Sequence, residues 1–481
     1  MHTRLFRLTL LMLSTCGLLL TSRPLPAQNC HCRDNLSYLA AKVALNYPGY
    51  TDKVTARNAG AFRAFTDSLL QQADTTPPEQ CFLLLRSWLR FFKDQHLDIA
   101  FSGAGKDSSF IRSLHAKEQR LALDTSSLKR HWQQAGGAGP EGIWQMEGGH
   151  YTVAVVKAAN ASRFLGVLLK ADGVYWLPGE VKFELTPLGG EKYRALYKDG
   201  YHYPDTFTIR IRNGAFTLMR VKWEKQYPAA GTPVASNAAG AGRDFHFRAL
   251  NRETSLLRLP SFDIGAKKTI DSMIARHFND ITRRPYLIID VRNNIGGFNL
   301  SFEKLLPILY TGPVTSDGGR ILATADNIAL YEGMLRNKHI PDADKAQIRT
   351  LIRQLKAHKG GYYTTENEVF EAAAVYPYPE KIAIITNEQC ASATELFIQK
   401  AQQSRKVTVF GRSTAGVIDY TSIIGPRQLP CPHYIYYCPT TKSKRLPQRP
   451  LDNIGIAPDV YIPDAAADWV AFVQQYLTKR L

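Results

Sequence analysis

Between residues 382 and 410 the chain alternates in a way that few architectures accept. Ile382-Ala383-Ile384-Ile385 and Val407-Thr408-Val409-Phe410 are short β-prone runs, and Glu395 to Gln403 between them has helix-forming composition. A strand, a helix and a second strand make a βαβ unit, which commits this part of the chain to an α/β core. Leu256-Leu257-Arg258-Leu259 and Tyr286-Leu287-Ile288-Ile289 supply further strands. Residues 326–358 read as a helical insertion.

The upstream sequence has other periods. Residues 35–130 are predicted mainly helical, with apolar positions at helical spacing in Cys81 to Leu85 and Trp88 to Phe92. That helix is expected to end near Lys93-Asp94. Gly136, Gly137, Gly139 and Pro140 mark a boundary. From Gly142 to about Tyr227, short runs recur between turn residues: Tyr151 to Val156, Phe164 to Leu169, Val181 to Leu185, Thr206 to Ile211 and Phe216 to Val221. They predict a small all-β sandwich or barrel. The Ala- and Gly-rich stretch that follows reads as a linker. A chain of 481 residues exceeds one ordinary core. The expected division is a leader over 1–27, a helical domain over 28–135, an all-β module over 140–228, a linker over 229–243 and a core over 244–481.

Arg4 and Arg7 precede the apolar run Leu8 to Leu20, and small and turn-forming residues follow as far as Ala27. This is the pattern of a cleaved export signal, and the run is short for a spanning helix. The expectation is an exported protein, periplasmic or secreted, with no transmembrane span once the leader is gone. Export permits disulfides. Cys81 could pair with Cys30 or Cys32, and Cys431 with Cys438 could staple a hairpin. Spacing leaves the connectivity open. No CxxC pair or histidine cluster suggests a metal, and no cofactor is expected. The formal charge of +18 suits anionic partners such as an envelope surface. No dense basic run or nucleic-acid motif accompanies it, so nucleic acid is not an expected partner.

Three segments carry chemistry. Asp290-Val291-Arg292-Asn293-Asn294-Ile295-Gly296-Gly297 leaves a strand in a loop whose glycines expose main-chain N–H groups. Asn387 to Glu395 also leaves a strand and enters a helix, which places Ser392 at a helix start where donors and dipole favour negative charge. Ser392-Ala393-Thr394-Glu395 also has the form of a capping box, which needs no catalysis. The third is Gly411-Arg412-Ser413-Thr414-Ala415-Gly416.

Together these segments resemble the carboxy-terminal processing peptidase and tricorn group of serine peptidases. That group shows Asp-Leu/Val-Arg-x-Asn-x-Gly-Gly, then Asn-x-x-x-x-Ser-Ala-x-Glu, then Gly-x-x-Thr-x-Gly, and a final Gly-Val-x-Pro-Asp. The last is matched here by Gly455-Ile456-Ala457-Pro458-Asp459. The resemblance covers roughly residues 250–465 and, more weakly, the region around His96. It implies an α/β crotonase-like spiral core of ββα units, with the helical region at the amino terminus and the all-β domain inserted. It also implies Ser392 as nucleophile, with the N–H groups of Ala393 and of Gly297 or Gly296 as oxyanion donors. Asp290, Asn387, Glu395, Thr414 and Gly416 would support them.

A serine nucleophile needs a base. The processing peptidases place a lysine directly after the last glycine of the third segment. Here Val417 stands there, and an apolar side chain accepts no proton. Lys442 and Lys444 lie further along, off the pattern. The tricorn-like branch takes a histidine from the amino-terminal helical region, which Asp94-Gln95-His96-Leu97 resembles. His96 would then be the base, Gln95 would stand where that branch has serine, and Asp452 would orient the imidazole where it has glutamate. The implied activity is peptide-bond hydrolysis of polypeptides through an acyl-enzyme. The alternative is a binding protein on the same fold that holds peptides or apolar ligands; a scaffold acting through its basic surface is a third.

Overall fold

The computed structural model describes residues 30–478 except 104–106, 135–138, 160, 219–220, 229–243, 339, 341, 464–465 and 467. The expected leader with Cys16, the boundary glycines Gly136 and Gly137, and the linker lie outside the described residues.

The core sheet has six strands in the order His246–Ala249, Thr254–Arg258, Tyr286–Asp290, Lys381–Thr386, Val407–Gly411, Val460–Tyr461. The first pair is antiparallel and the rest are parallel. The central parallel strands are largely apolar because both faces are covered. Leu287, Ile289, Ile382 and Ile384 pack under the helices Ala266–Thr282 and Ala393–Ala401 with Ile270, Ile274, Phe397 and Ile398. Ile288, Ala383 and Ile385 face the other way, onto Val473 and Leu477 of Trp469–Thr478. The parallel strands therefore send Asp290, Thr386 and Gly411 out at one edge of the sheet, so the three motif loops converge there. Carboxyl ends of parallel strands are where open α/β sheets place ligands. The expected insertion contains the helices Ala325–Met334 and Asp342–Ala357.

The amino-terminal helices Cys32–Asn46, Ala59–Thr75 and Cys81–Arg90 bury Leu36, Leu39, Val43, Phe62 and Trp88. The last helix stops at Arg90, short of the expected Lys93-Asp94. Lys93 takes a left-handed φ of 49°, which an α-helix cannot continue. This core is not a separate unit. Tyr420, Leu429, Tyr434 and Tyr436 belong to it, and strand Asp98–Phe101 pairs antiparallel with Tyr434–Tyr437.

The disulfides are Cys32–Cys81 and Cys30–Cys431. The expected Cys431–Cys438 staple is absent, because Cys431 is taken by Cys30 and Cys438 is a buried free thiol. Cys390 is the other free thiol among the described residues. Cys32–Cys81 closes a 49-residue separation and ties the first helix to the third. Replacing both with serine is expected to lower stability by about 2–4 kcal/mol, read from denaturant midpoints under non-reducing conditions. An unchanged midpoint would show that the link constrains little.

The all-β module is one antiparallel sheet of eight strands curled towards a barrel around Trp144, Trp223, Phe183 and Phe216. Sequence reading passed over Gly142–Met146 and Lys192–Lys198. The second alternates Tyr193, Ala195 and Tyr197 inward with Lys192, Arg194 and Leu196 outward, so its period was legible. The expected run from Phe216 to Val221 is two strands, Ala215–Leu218 and Val221–Tyr227, paired antiparallel.

Candidate active site

Ser392 caps the helix Ala393–Ala401 with a backbone φ of 55° and ψ of −121°. A side chain other than glycine in that region costs roughly 1–3 kcal/mol and persists only where its surroundings enforce it. Three contacts do so. The Glu395 carboxylate accepts from Ser392 N at 3.0 Å. Ala391 N donates to Asn294 O at 3.1 Å. Gly296 packs so closely that a Cβ built on it would lie 2.5 Å from Ala391 O and 2.6 Å from Ala393 N.

Glu395 is fully buried and organises the third loop. Its Oε1 accepts from Thr414 Oγ1 at 2.5 Å and Gly416 N at 2.8 Å, and its Oε2 also accepts from Val417 N at 2.8 Å. Thr414 Oγ1 in turn accepts from Ile456 N at 2.7 Å, which fastens the final glycine motif to the same hub. These are structural hydrogen bonds, so Thr414 and Gly416 hold the loop through Glu395.

The glycine loop is held by its own polar residues. Asp290 is buried and takes both Arg292 Nε at 2.9 Å and Nη2 at 2.6 Å. Burial opposes its charge, but Arg292 and Arg258 hold its pKa below the ordinary value. Asn387 sews this loop to the serine loop, accepting from Asn293 N at 2.9 Å and donating to Asn293 Oδ1 at 2.6 Å.

The two glycines divide their tasks. Gly296 N donates to Asn294 Oδ1 at 2.9 Å, so it is already committed. Gly297, at φ 137°, bridges Phe262 through its neighbours' groups: Phe262 N donates to Gly296 O and Phe298 N to Phe262 O. The N–H of Gly297 has no partner among the described residues, and neither has that of Ala393 at the helix start.

His96 lies in the turn between helix Cys81–Arg90 and strand Asp98–Phe101. Its Nδ1 is 2.7 Å from Tyr420 O. A carbonyl only accepts, so Nδ1 carries the proton, and Nε2 of the neutral ring is left as the acceptor. Its main-chain N–H donates to Asp94 Oδ1 at 2.8 Å, and Asp94 Oδ2 accepts from Tyr47 Oη at 2.8 Å. Tyr420 stands three residues beyond Val417, so the imidazole is fixed to the segment that also carries donors to Glu395. Gln95 is exposed, and its side chain has no hydrogen bond among the described residues.

Asp452 has no hydrogen bond to this ring among the described residues. Its Oδ1 accepts from Asp419 N at 3.0 Å, its N–H donates to Asp419 Oδ2 at 2.8 Å, and Lys53 Nζ stands 3.6 Å from Oδ2. The carbonyl of Tyr420 occupies the place expected for a carboxylate. Sequence reading missed Asp419, which is buried against Arg445 at 2.8 Å. A lone acid inside the apolar run Val417-Ile418-Asp419-Tyr420 was its only signal. Lys442 Nζ sits 3.0 Å from Asp52, and Lys444 Nζ donates to Asn367 Oδ1 at 2.5 Å. Both lysines are therefore engaged elsewhere.

Burial and the neighbouring Asp94 carboxylate push the Asp452 carboxyl up to about 7. An acid whose pKa rises on folding stabilises the folded state while protonated. That contribution is complete below about pH 4 and is lost as the pH climbs through 7. Asp452→Asn should lack this loss, which is on the order of 2–4 kcal/mol. Unfolding midpoints of the two proteins at pH 3 and pH 8, about a unit outside the titration on either side, measure it. Parallel changes in both would remove Asp452 from the account.

The α/β core presents, at one end of its sheet, a strained helix-start serine beside two open amides. Residues 253–462 match the model of peptidase family S41. Among solved structures the chain is similar to mature CPAF, at 13% identity over 93% of this chain and 96% of that one, with a TM-score of 0.49. It is similar to the photosystem II D1 C-terminal processing protease at 14% identity over 90% and 93%, with a TM-score of 0.37. It is also similar to the tricorn protease at 13% identity, over 93% of this chain and 36% of that one, with a TM-score of 0.34. No curated protein matches the chain.

Proposed function

We propose that the chain is an exported serine endopeptidase that hydrolyses polypeptides through an acyl-enzyme on Ser392, on a core of the crotonase-like spiral type. The observation that carries this reading is the pair of open N–H groups, Gly297 and Ala393, on either side of a serine held at φ 55°. Ser392 Oγ attacks the scissile carbonyl carbon, and its proton passes to Nε2 of His96. The carbonyl oxygen becomes an oxyanion between the two amides, where each donor typically contributes about 3 kcal/mol to transition-state stabilisation. The imidazolium then protonates the leaving amine, and a water deacylates the serine by the same steps. The Tyr420 carbonyl does the orienting work that a carboxylate does in a Ser-His-Asp triad. Asp94, which fixes the main chain of His96, belongs to its support.

Val417 at the family's lysine position supports a histidine base, as in the tricorn-like branch. Ile264, Ile295, Phe298 and Ile454 are exposed on loops beside the two glycines and the final motif. Exposed apolar groups clustered at a site favour ligands with apolar segments, such as unfolded polypeptide. The two disulfides and the basic charge support export and an anionic envelope surroundings.

The experiment is reaction of the purified protein with a fluorophosphonate probe, followed by peptide mapping. An activated serine takes the label at Ser392. A protein that binds apolar peptides yet stays unlabelled at that residue would be the inactive binding protein instead.

A further inference from the structure

Among the described residues the core sheet has an open edge away from the loops of the site. There, strand His246–Ala249 pairs with Thr254–Arg258 on one side only. Its outer row of main-chain N–H and C=O groups is a template for another strand. Beside that edge runs the helix Ala266–Thr282, and between them lies a groove of about 460 Å³.

The lining of this groove is apolar and cationic. Phe245, Phe247 and Met273 supply the apolar wall, with His277 stacked on Phe247 at 4.2 Å between ring centroids. Lys268 and Arg276 supply the charge, and no carboxylate among the described residues lines the groove. The acids of the same helix are held in ion pairs. Asp271 holds Lys267 at 2.8 Å and lies 3.6 Å from Lys304, while Asp280 lies 3.3 Å from Arg284 and 3.7 Å from His277 at the end of the groove. Neither Lys268 nor Arg276 has a carboxylate partner among the described residues. Eight residues apart on a helix, the two sit about 12 Å apart along its axis. Side chains four residues apart on a strand span about 13 Å and point the same way.

We propose that this edge binds an extended peptide segment by strand addition, with acidic side chains at positions i and i+4 against Lys268 and Arg276. An apolar side chain at i+2 would then fall between them, against Met273 and Phe247. The class of partner follows from the two features together. Cations and aromatic rings alone would also suit a nucleic acid, but a strand edge offers paired donors and acceptors that only a peptide main chain can match.

The test uses the purified full chain and a fluorescein-labelled peptide, Thr-Glu-Thr-Val-Thr-Glu-Thr, titrated by fluorescence anisotropy. Binding is expected to saturate and to weaken about threefold or more when monovalent salt rises from 50 to 200 mM. The double variant Lys268→Glu, Arg276→Glu should bind about tenfold or more weakly and should prefer a peptide carrying Lys at both Glu positions. Both substituted residues are exposed, so its thermal midpoint should match that of the parent. Hydrogen exchange should show protection of residues 246–249 on binding. The proposal is overturned if the folded protein shows no saturable binding up to 1 mM peptide, or if charge reversal leaves binding unchanged. It is also overturned if a single-stranded oligonucleotide binds the groove in preference to the peptide. Protection confined to the Ser392 loops would reassign the peptide to the peptidase site.

Discussion

Ser392→Ala should abolish peptide hydrolysis while leaving the thermal midpoint close to that of the parent. The removed atom is a hydroxyl on a half-exposed residue, and the strained main chain around it is held by Glu395, Asn294 and Gly296 rather than by the side chain. The expected loss in kcat is about 10³-fold or more, since oxyanion stabilisation and substrate binding survive. His96→Ala should lose nearly as much, and the double variant no more than either single one, because nucleophile and base act as a unit. Turnover is measured on an unfolded polypeptide at fixed pH. A His96→Ala protein with near-parental kcat would sink the assignment of the base. Undiminished turnover in Ser392→Ala would sink the nucleophile. The hydrogen bond from His96 Nδ1 to Tyr420 O adds a further expectation. Its acceptor is a main-chain carbonyl, so Asp452→Asn should keep most of the activity, in contrast to a triad in which the carboxylate holds the ring.

Gly296→Ala should damage both the fold and the site. At φ 92° the alanine main chain is strained, and the new methyl would meet Ala391 O at 2.5 Å, Ala393 N at 2.6 Å and the Ser392 Cβ at 3.0 Å. Two of these three atoms are main chain and cannot swing aside. Either the glycine loop or the serine turn must move, and both carry open amides. The expected cost is about 3 kcal/mol or more in stability, from overpacking and a strained φ together. Any folded fraction should lose fluorophosphonate labelling. Gly425→Ala is the control, since a Cβ there meets nothing within 4 Å. Its effect should stay within about 0.5 kcal/mol. Equal midpoints and equal labelling for the two variants would show that the loops yield more easily than their packing implies.

The two glycines illustrate how far a motif carries. Their order after Asp290 marks a loop that exposes amides, and both qualified as oxyanion donors. Only the fold separates them. Asn294 turns its side chain back onto Gly296 N, and the pairing with Phe262 directs the next amide outward. Asp290 and Glu395, expected as supporting residues, are both buried and hydrogen-bonded. Their work is to shape the loops. A carboxylate in a motif reads the same from sequence whether it meets substrate or main-chain donors, because burial is a property of the assembled layers.

Local sequence determined what local physics controls. The apolar runs at 286–289, 382–385 and 407–410 could only be covered strands, and the helix after Ser392 followed from its residues. Their order set an α/β core and the place of Ser392 at a helix start. What the chain could not state alone was every relation across long separations. Cys30 finds Cys431 across 401 residues, and Asp98–Phe101 finds Tyr434–Tyr437. That joining brings a histidine from the amino-terminal region to the carbonyl of Tyr420 and leaves Asp452 to Asp419. Such pairings depend on which surfaces remain to be buried once local elements have formed, and only the packed structure decides that.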